Sequence, residues 1–283
     1  MFDKESRKMP RCHLVAVPLV VALVAGCQSK PPQPPPDAVA AQAAAAAAKA
    51  AEPAVKPQEA TPQQRAQVKV DLAAGYYERG RFDVSLQELA EAQKLDPNNA
   101  KIYNVYGLTY TMLGENQKAE ESFRRALSIA PNDSEIRHNW GAFLCATGRE
   151  AASIPEFETV IRDPLYKTPE TALINAGKCS IATGDVVKGD EYLRRALAIS
   201  PGNAMASYNL ALLSYRQNRY DQARAYMRNV MQQTNPAPEA LFLGMCIERK
   251  KGDRSAELSY VSQLRNRYPE SPEAKAIDVG ACG

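Results

Sequence analysis

Histidine is nearly absent from this chain: 283 residues hold two, and only His138 lies beyond the N-terminal leader described below. One imidazole cannot build a histidine-based zinc site, and no C-x-x-C or H-E-x-x-H spacing occurs. A glycine-rich phosphate loop is missing as well. Charge is nearly balanced, with 35 basic against 32 acidic side chains, so no basic field exists to hold a nucleic acid. Nor does any apolar run reach the roughly 20 residues that a membrane-spanning helix requires. Together these absences point to a protein that is not an enzyme and uses no metal, organic cofactor, small-molecule substrate or nucleic acid.

What is present begins with a leader. Lys4, Arg7, Lys8 and Arg11 form a basic segment ahead of the apolar stretch Leu14 to Ala25, which contains Pro18. Val24, Ala25, Gly26 and Cys27 follow as a lipobox, in which small residues admit the signal peptidase and the cysteine thiol accepts a diacylglyceryl group. Residues 1–26 are therefore expected to be a lipoprotein signal peptide and Cys27 the lipidated residue. Gln28 stands where an aspartate would resemble an inner-membrane retention signal, so the expected location is the periplasmic face of the outer membrane. Residues 27–62 carry Pro31, Pro32, Pro34, Pro35, Pro36, Pro53, Pro57 and Pro62 around the alanine tract Ala43 to Ala48. With almost no large apolar side chain, this stretch cannot form a core and reads as a semi-rigid tether.

Residues 63–283 repeat. Pro97, Pro131 and Pro201 each close a helical apolar pattern, in the contexts LDPNN, IAPND and ISPGN, and the first two lie 34 residues apart. That is the tetratricopeptide period. In the clearest copy Tyr103, Tyr106, Gly107 and Tyr110 share a face of a first helix, Gly114 ends it, and Ala119, Phe123 and Ala126 share a face of a second. Gly107 and Ala119 are small where the two helices cross, and Pro131 ends the pair. The template falls on six stretches, with the period lengthened to about 36 across Asp163 to Pro169 and a one-residue slip in the second helix of the sixth. The expected fold is all-α: a right-handed superhelical solenoid of about six tetratricopeptide repeats, whose first helices line the concave face.

That face suits a peptide better than a substrate. Asn139, Asn175 and Asn209 recur at one repeat position, where amides can bind a guest backbone or, alternatively, satisfy groups inside the stack. Tyr77, Lys101, Asn104, Leu108 and Thr111 are expected to point into the same groove. Tyrosines and amides at Tyr76, Tyr77, Tyr103, Asn104 and Asn139 favour its first three repeats as the partner's seat. His138 falls on the first helix of the third repeat, a surface or groove position. Four cysteines remain after the lipidated one, an even number that suits an oxidising compartment and permits three pairings. Cys145 and Cys179 fall at similar heights on neighbouring first helices, a candidate disulfide whose alternative is two buried thiols. The pairing of Cys246 and Cys282 stays open.

A lipobox, a Pro/Ala tether and six such repeats, with the segments NWGAFLCATGRE, IRDPLYKTPETALINAGKC and YLRRALAISP, resemble the PilF/PilW family of type IV pilus biogenesis lipoproteins. The resemblance implies a pilotin: an outer-membrane lipoprotein that binds the subunit of the pilus secretin and promotes its localisation and multimerisation. The rival reading is a scaffold for another outer-membrane or cell-wall complex.

Overall fold

The computed structural model describes residues 35–50, 59–278 and 282. Among these it contains fourteen helices and no strand. Helix α1 (Pro36–Ala50) occupies the alanine tract, where alanine's high helix propensity and Asp37 in the first turn favour the conformation. It belongs to a unit of its own, ending at Gln58. The leader and Cys27 lie outside the described residues.

The second unit starts at Glu59 and is a row of helix pairs: α2 (Pro62–Glu78) with α3 (Phe82–Leu95), α4 (Ala100–Met112) with α5 (Asn116–Ile129), and α6 (Ser134–Ala146) with α7 (Glu150–Arg162). Then come α8 (Pro169–Ala182) with α9 (Val186–Ile199), α10 (Ala204–Arg216) with α11 (Tyr220–Val230), and α12 (Pro238–Lys251) with α13 (Arg254–Arg267). The short α14 (Pro272–Asp278) closes the row.

Local chemistry sets the boundaries. Thr61 and Gln64 form a reciprocal capping box at the start of α2. The last residue of each LDPNN, IAPND and ISPGN segment caps the next first helix: the side chains of Asn99, Asp133 and Asn203 accept hydrogen bonds from Lys101, Glu135 and Ile136, and Ala206 backbone N–H groups. One proline-centred turn thus ends a helix and starts another. Between the helices of a pair the chain passes through the left-handed region, at Gly114 with φ 73° and in the fifth pair at Asn218 with φ 62°. Asparagine is among the few side-chain-bearing residues that adopt this conformation readily.

The pairs are held by close crossings. A Cβ on Gly107 would lie 2.7 Å from the Phe123 ring, and Gly141, Gly177 and Gly244 face Phe157, Leu193 and Tyr260 in the same way, each 16 residues on. Phe123, Phe157 and Leu193 are fully buried. The sixth pair therefore keeps the common register at Tyr260, while the expected slip shows on either side of it, where Glu257 and Leu264 are buried instead of Ala256 and Gln263. Two buried carboxylates stiffen this end. Glu248 pairs with Arg224, and Glu257 with Arg249 and Arg254. Burial alone would raise the Glu257 pKa, but the hydrogen bonds and charges of the two arginines hold it below the ordinary value.

Three features exceed the repeat template. Against four residues at the other junctions and seven between α11 and α12 (231–237), the turn between α7 and α8 spans six residues, 163–168. It folds back on α6: Ser134 donates to the Asp163 carboxylate at 2.5 Å, and Tyr166 stacks on His138 at 5.8 Å. Hydrogen bonds from Ser134 and the Leu165 N–H lower the Asp163 pKa. At the far end Ala274 and Ile277 of α14 cover Leu241 and Leu264, giving the terminal pair the cap that a solenoid needs.

Candidate partner-binding face

Each first helix lies close against the first helix of the next pair, while the second helices stand further apart, α7 and α9 being bridged by the Tyr192 hydroxyl, which donates to Glu158 at 2.7 Å. This asymmetry curves the stack and places α2, α4, α6, α8, α10 and α12 on its inner side.

Near the start of the row, the inner polar groups are largely spent on the stack itself. Asn104, expected to face the groove, is buried, and its Oδ1 accepts the Asn139 amide at 3.1 Å. Asn175 meets the His138 Nε2 at 3.3 Å, and Asn209 donates to the Met205 carbonyl at 2.7 Å. Thr111 hydrogen-bonds the Gly107 carbonyl of its own helix. Leu108 packs against Phe123 and Phe143. Tyr77 is half-buried beside Phe82, and burial raises its pKa. Tyr106 stacks on Tyr110 at 5.7 Å, and burial with the neighbouring Tyr110 and Tyr103 pushes its pKa up to about 12. Of the eight groove residues expected from sequence, Lys101 alone is exposed. The asparagines fall on the inner side but bond to the stack, the alternative left open by their spacing.

His138 is held on three sides, by the edge of Phe157, the face of Tyr166 and the amide of Asn175. Burial lowers its pKa, and its Nδ1 has no hydrogen-bond partner. It belongs to the junction of the third and fourth pairs. The same junction carries a disulfide, Cys145 of α6 to Cys179 of α8, with Cα atoms 6.0 Å apart. A second disulfide joins Cys246 of α12 to Cys282, whose carbonyl accepts the Tyr215 hydroxyl at 2.7 Å.

Open space lies further along. Three cavities follow one another on the inner side, of about 170, 240 and 340 Å³. The first lies between α8 and α10, and Leu212 and Arg216 join it to the second, which reaches α12. Tyr208 and Glu239 join the second to the third. Among the residues that sequence spacing left aside is Lys178. The signal was available, because it follows Gly177 as Leu108 follows Gly107 and so occupies the same repeat position. Among the described residues no cluster of three or more histidine, cysteine or acidic side chains could hold a metal ion.

Models of the tetratricopeptide repeat match residues 70–134 and 180–241. The crystal structure of PilW, described as a widely conserved type IV pilus biogenesis factor, superposes with a TM-score of 0.70 at 32% identity, covering 76% of this chain and 98% of PilW. The chain belongs to the PilF/PilW family. PilF of Pseudomonas aeruginosa, a type IV pilus assembly protein, is 25% identical over 204 residues, 72% of this chain and 81% of PilF. A solved structure of that PilF agrees in fold, with a TM-score of 0.69 at 23% identity over 77% of this chain and 99% of the other. The repeat fold is thus shared with these family members.

Proposed function

We propose that this protein is a non-enzymatic pilotin, anchored to the outer membrane by lipid on Cys27, that binds the subunit of the type IV pilus secretin and promotes its multimerisation. The observation that carries the reading is the likeness to PilW across the repeat unit. The lipobox at Val24 to Cys27 and Gln28 support the anchor and its membrane, and residues 27–62 serve as the tether. The inner face supplies an apolar and charged surface, as expected of a scaffold that grips a segment of another chain.

Deleting the gene should abolish detergent-resistant secretin multimers in outer-membrane fractions, and the wild-type copy should restore them. Normal multimers in the deletion strain would transfer the protein to another outer-membrane or cell-wall complex. Replacing Tyr77, Lys101, Asn104 and Thr111 with alanine, against the set Tyr208, Asn209, Leu212 and Tyr215, then shows which end of the inner face is used.

A further inference from the structure

The first of the three cavities differs from the others in charge. Its lining comes from two first helices, α8 and α10: Ile181, Leu212 and Leu213 make an apolar floor, while Lys178 and Arg216 stand exposed at its rim with Asn209 beside them. No acidic residue lines it. Three other cations near the inner helices are spent on carboxylates, Arg137 on Glu156, Arg149 on Glu120 and Arg249 on Glu257. Among the described residues neither Lys178 nor Arg216 pairs with a carboxylate. Two cations held over an aliphatic floor form a site that lacks its counter-charge. Asn209 uses one N–H on the Met205 carbonyl, which leaves the second for an incoming oxygen.

The neighbouring cavities set what must accompany that counter-charge. Beyond Arg216 the groove is lined by Tyr208, Leu212, Phe242 and Leu243, and Glu239 and Glu273 mark its other side. Met205, Tyr208, Leu212 and Arg216 follow one face of α10 at helical spacing. That ridge is about 16 Å long at 1.5 Å per residue, the reach of roughly five residues of extended peptide. The surface is therefore basic at one end, apolar in the middle and acidic at the other.

We propose that the cavity between α8 and α10 is a carboxylate-binding pocket, and that the groove it opens receives a short peptide segment carrying an acidic group, then aliphatic side chains, then a cation. Arg216 offers a planar fork to the carboxylate, Lys178 a point charge, and Ile181 and Leu212 take the adjoining aliphatic group. The carboxylate belongs either to an acidic side chain or to the end of a chain. The pocket is a property of this surface whether or not the secretin is the partner.

The test is fluorescence polarisation with the purified full-length protein and fluorescein-labelled lysyl-leucyl-leucyl-aspartate. Three companions carry a C-terminal amide, asparagine in place of aspartate, or both changes. The doubly neutral peptide should bind at least tenfold more weakly than the first, and whichever single change costs the affinity identifies the source of the carboxylate. Lys178→Ala with Arg216→Ala should remove the preference, whereas Lys188→Ala with Lys167→Ala, an equal loss of charge at exposed positions elsewhere, should leave it. Lys178→Glu with Arg216→Glu should instead favour a lysine-rich peptide. Equal binding of the acidic and doubly neutral peptides, or equal loss in both alanine pairs, overturns the assignment. Peptide binding that follows this pattern while secretin multimers are unaffected by gene deletion would retain the pocket and reject the pilotin reading.

Discussion

Replacing Gly107 with alanine adds one methyl group, and the structure gives that group nowhere to go. Its Cβ would sit 2.7 Å from two carbons of the Phe123 ring, about 1 Å inside ordinary carbon contact. The ring cannot swing aside, since it is fully buried and packs against Phe143 at 5.5 Å and Trp140 at 6.2 Å between centroids. Two effects oppose each other. Alanine improves the helix by about 1 kcal/mol, and overpacking a close contact costs about 1–3 kcal/mol. The second wins, and leucine at this position should lose more. Gly75 is the internal control, because a Cβ there meets only the Arg79 guanidinium, at 3.9 Å. Gly75→Ala should therefore gain about 0.5–1 kcal/mol from propensity alone. At this size 1 kcal/mol corresponds to roughly 2–4 °C in melting temperature. Trp140 is the sole tryptophan and lies at the affected junction, so its fluorescence follows the second and third pairs directly during thermal denaturation. A Gly107→Ala protein as stable as the parent would refute both the register and the clash argument.

Cys27→Ser should abolish incorporation of labelled palmitate while leaving the helical circular dichroism unchanged; incorporation at the parental level would disprove the anchor. Replacing Cys145 and Cys179 with serine opens a link spanning 34 positions; loop entropy sets the loss at about 2–4 kcal/mol, measurable as a lower denaturation midpoint, and an unchanged midpoint would contradict it. His138 folds in its neutral form, with burial holding its pKa below 6.5. The unfolded chain thus binds the extra proton first, so its contribution is complete above about pH 6.5 and is lost as pH falls toward the folded value. His138→Phe should accordingly narrow the stability difference between pH 8 and pH 5, and an equal difference in both proteins would count against the buried neutral form.

The repeat architecture was legible because its signals lie within one period. Gly107 with Phe123, and the closing Pro131, recur at fixed offsets that one helix pair imposes on itself. Junctions between pairs obey no such offset. Asn104 looked like a groove residue from its helical face, yet the next first helix covers it and Asn139 takes its oxygen. The cavity at Lys178 and Arg216 escaped notice for the same reason, since it lies between first helices of neighbouring pairs, α8 and α10. Helix α14, seven residues long and outside the period, carried no repeat signal to announce it.

The covalent bond between α6 and α8 has a mechanical consequence. In a stack whose outer helices stand further apart than its inner ones, a load drawn along the chain can peel pairs away one at a time, each acting as a separate link. The bond from Cys145 to Cys179 withholds the intervening segment from that process, removing roughly 110–120 Å of extensible contour. Stretching can lengthen the chain on either side of this staple, but the α6–α8 junction stays clasped until a reductant cuts it.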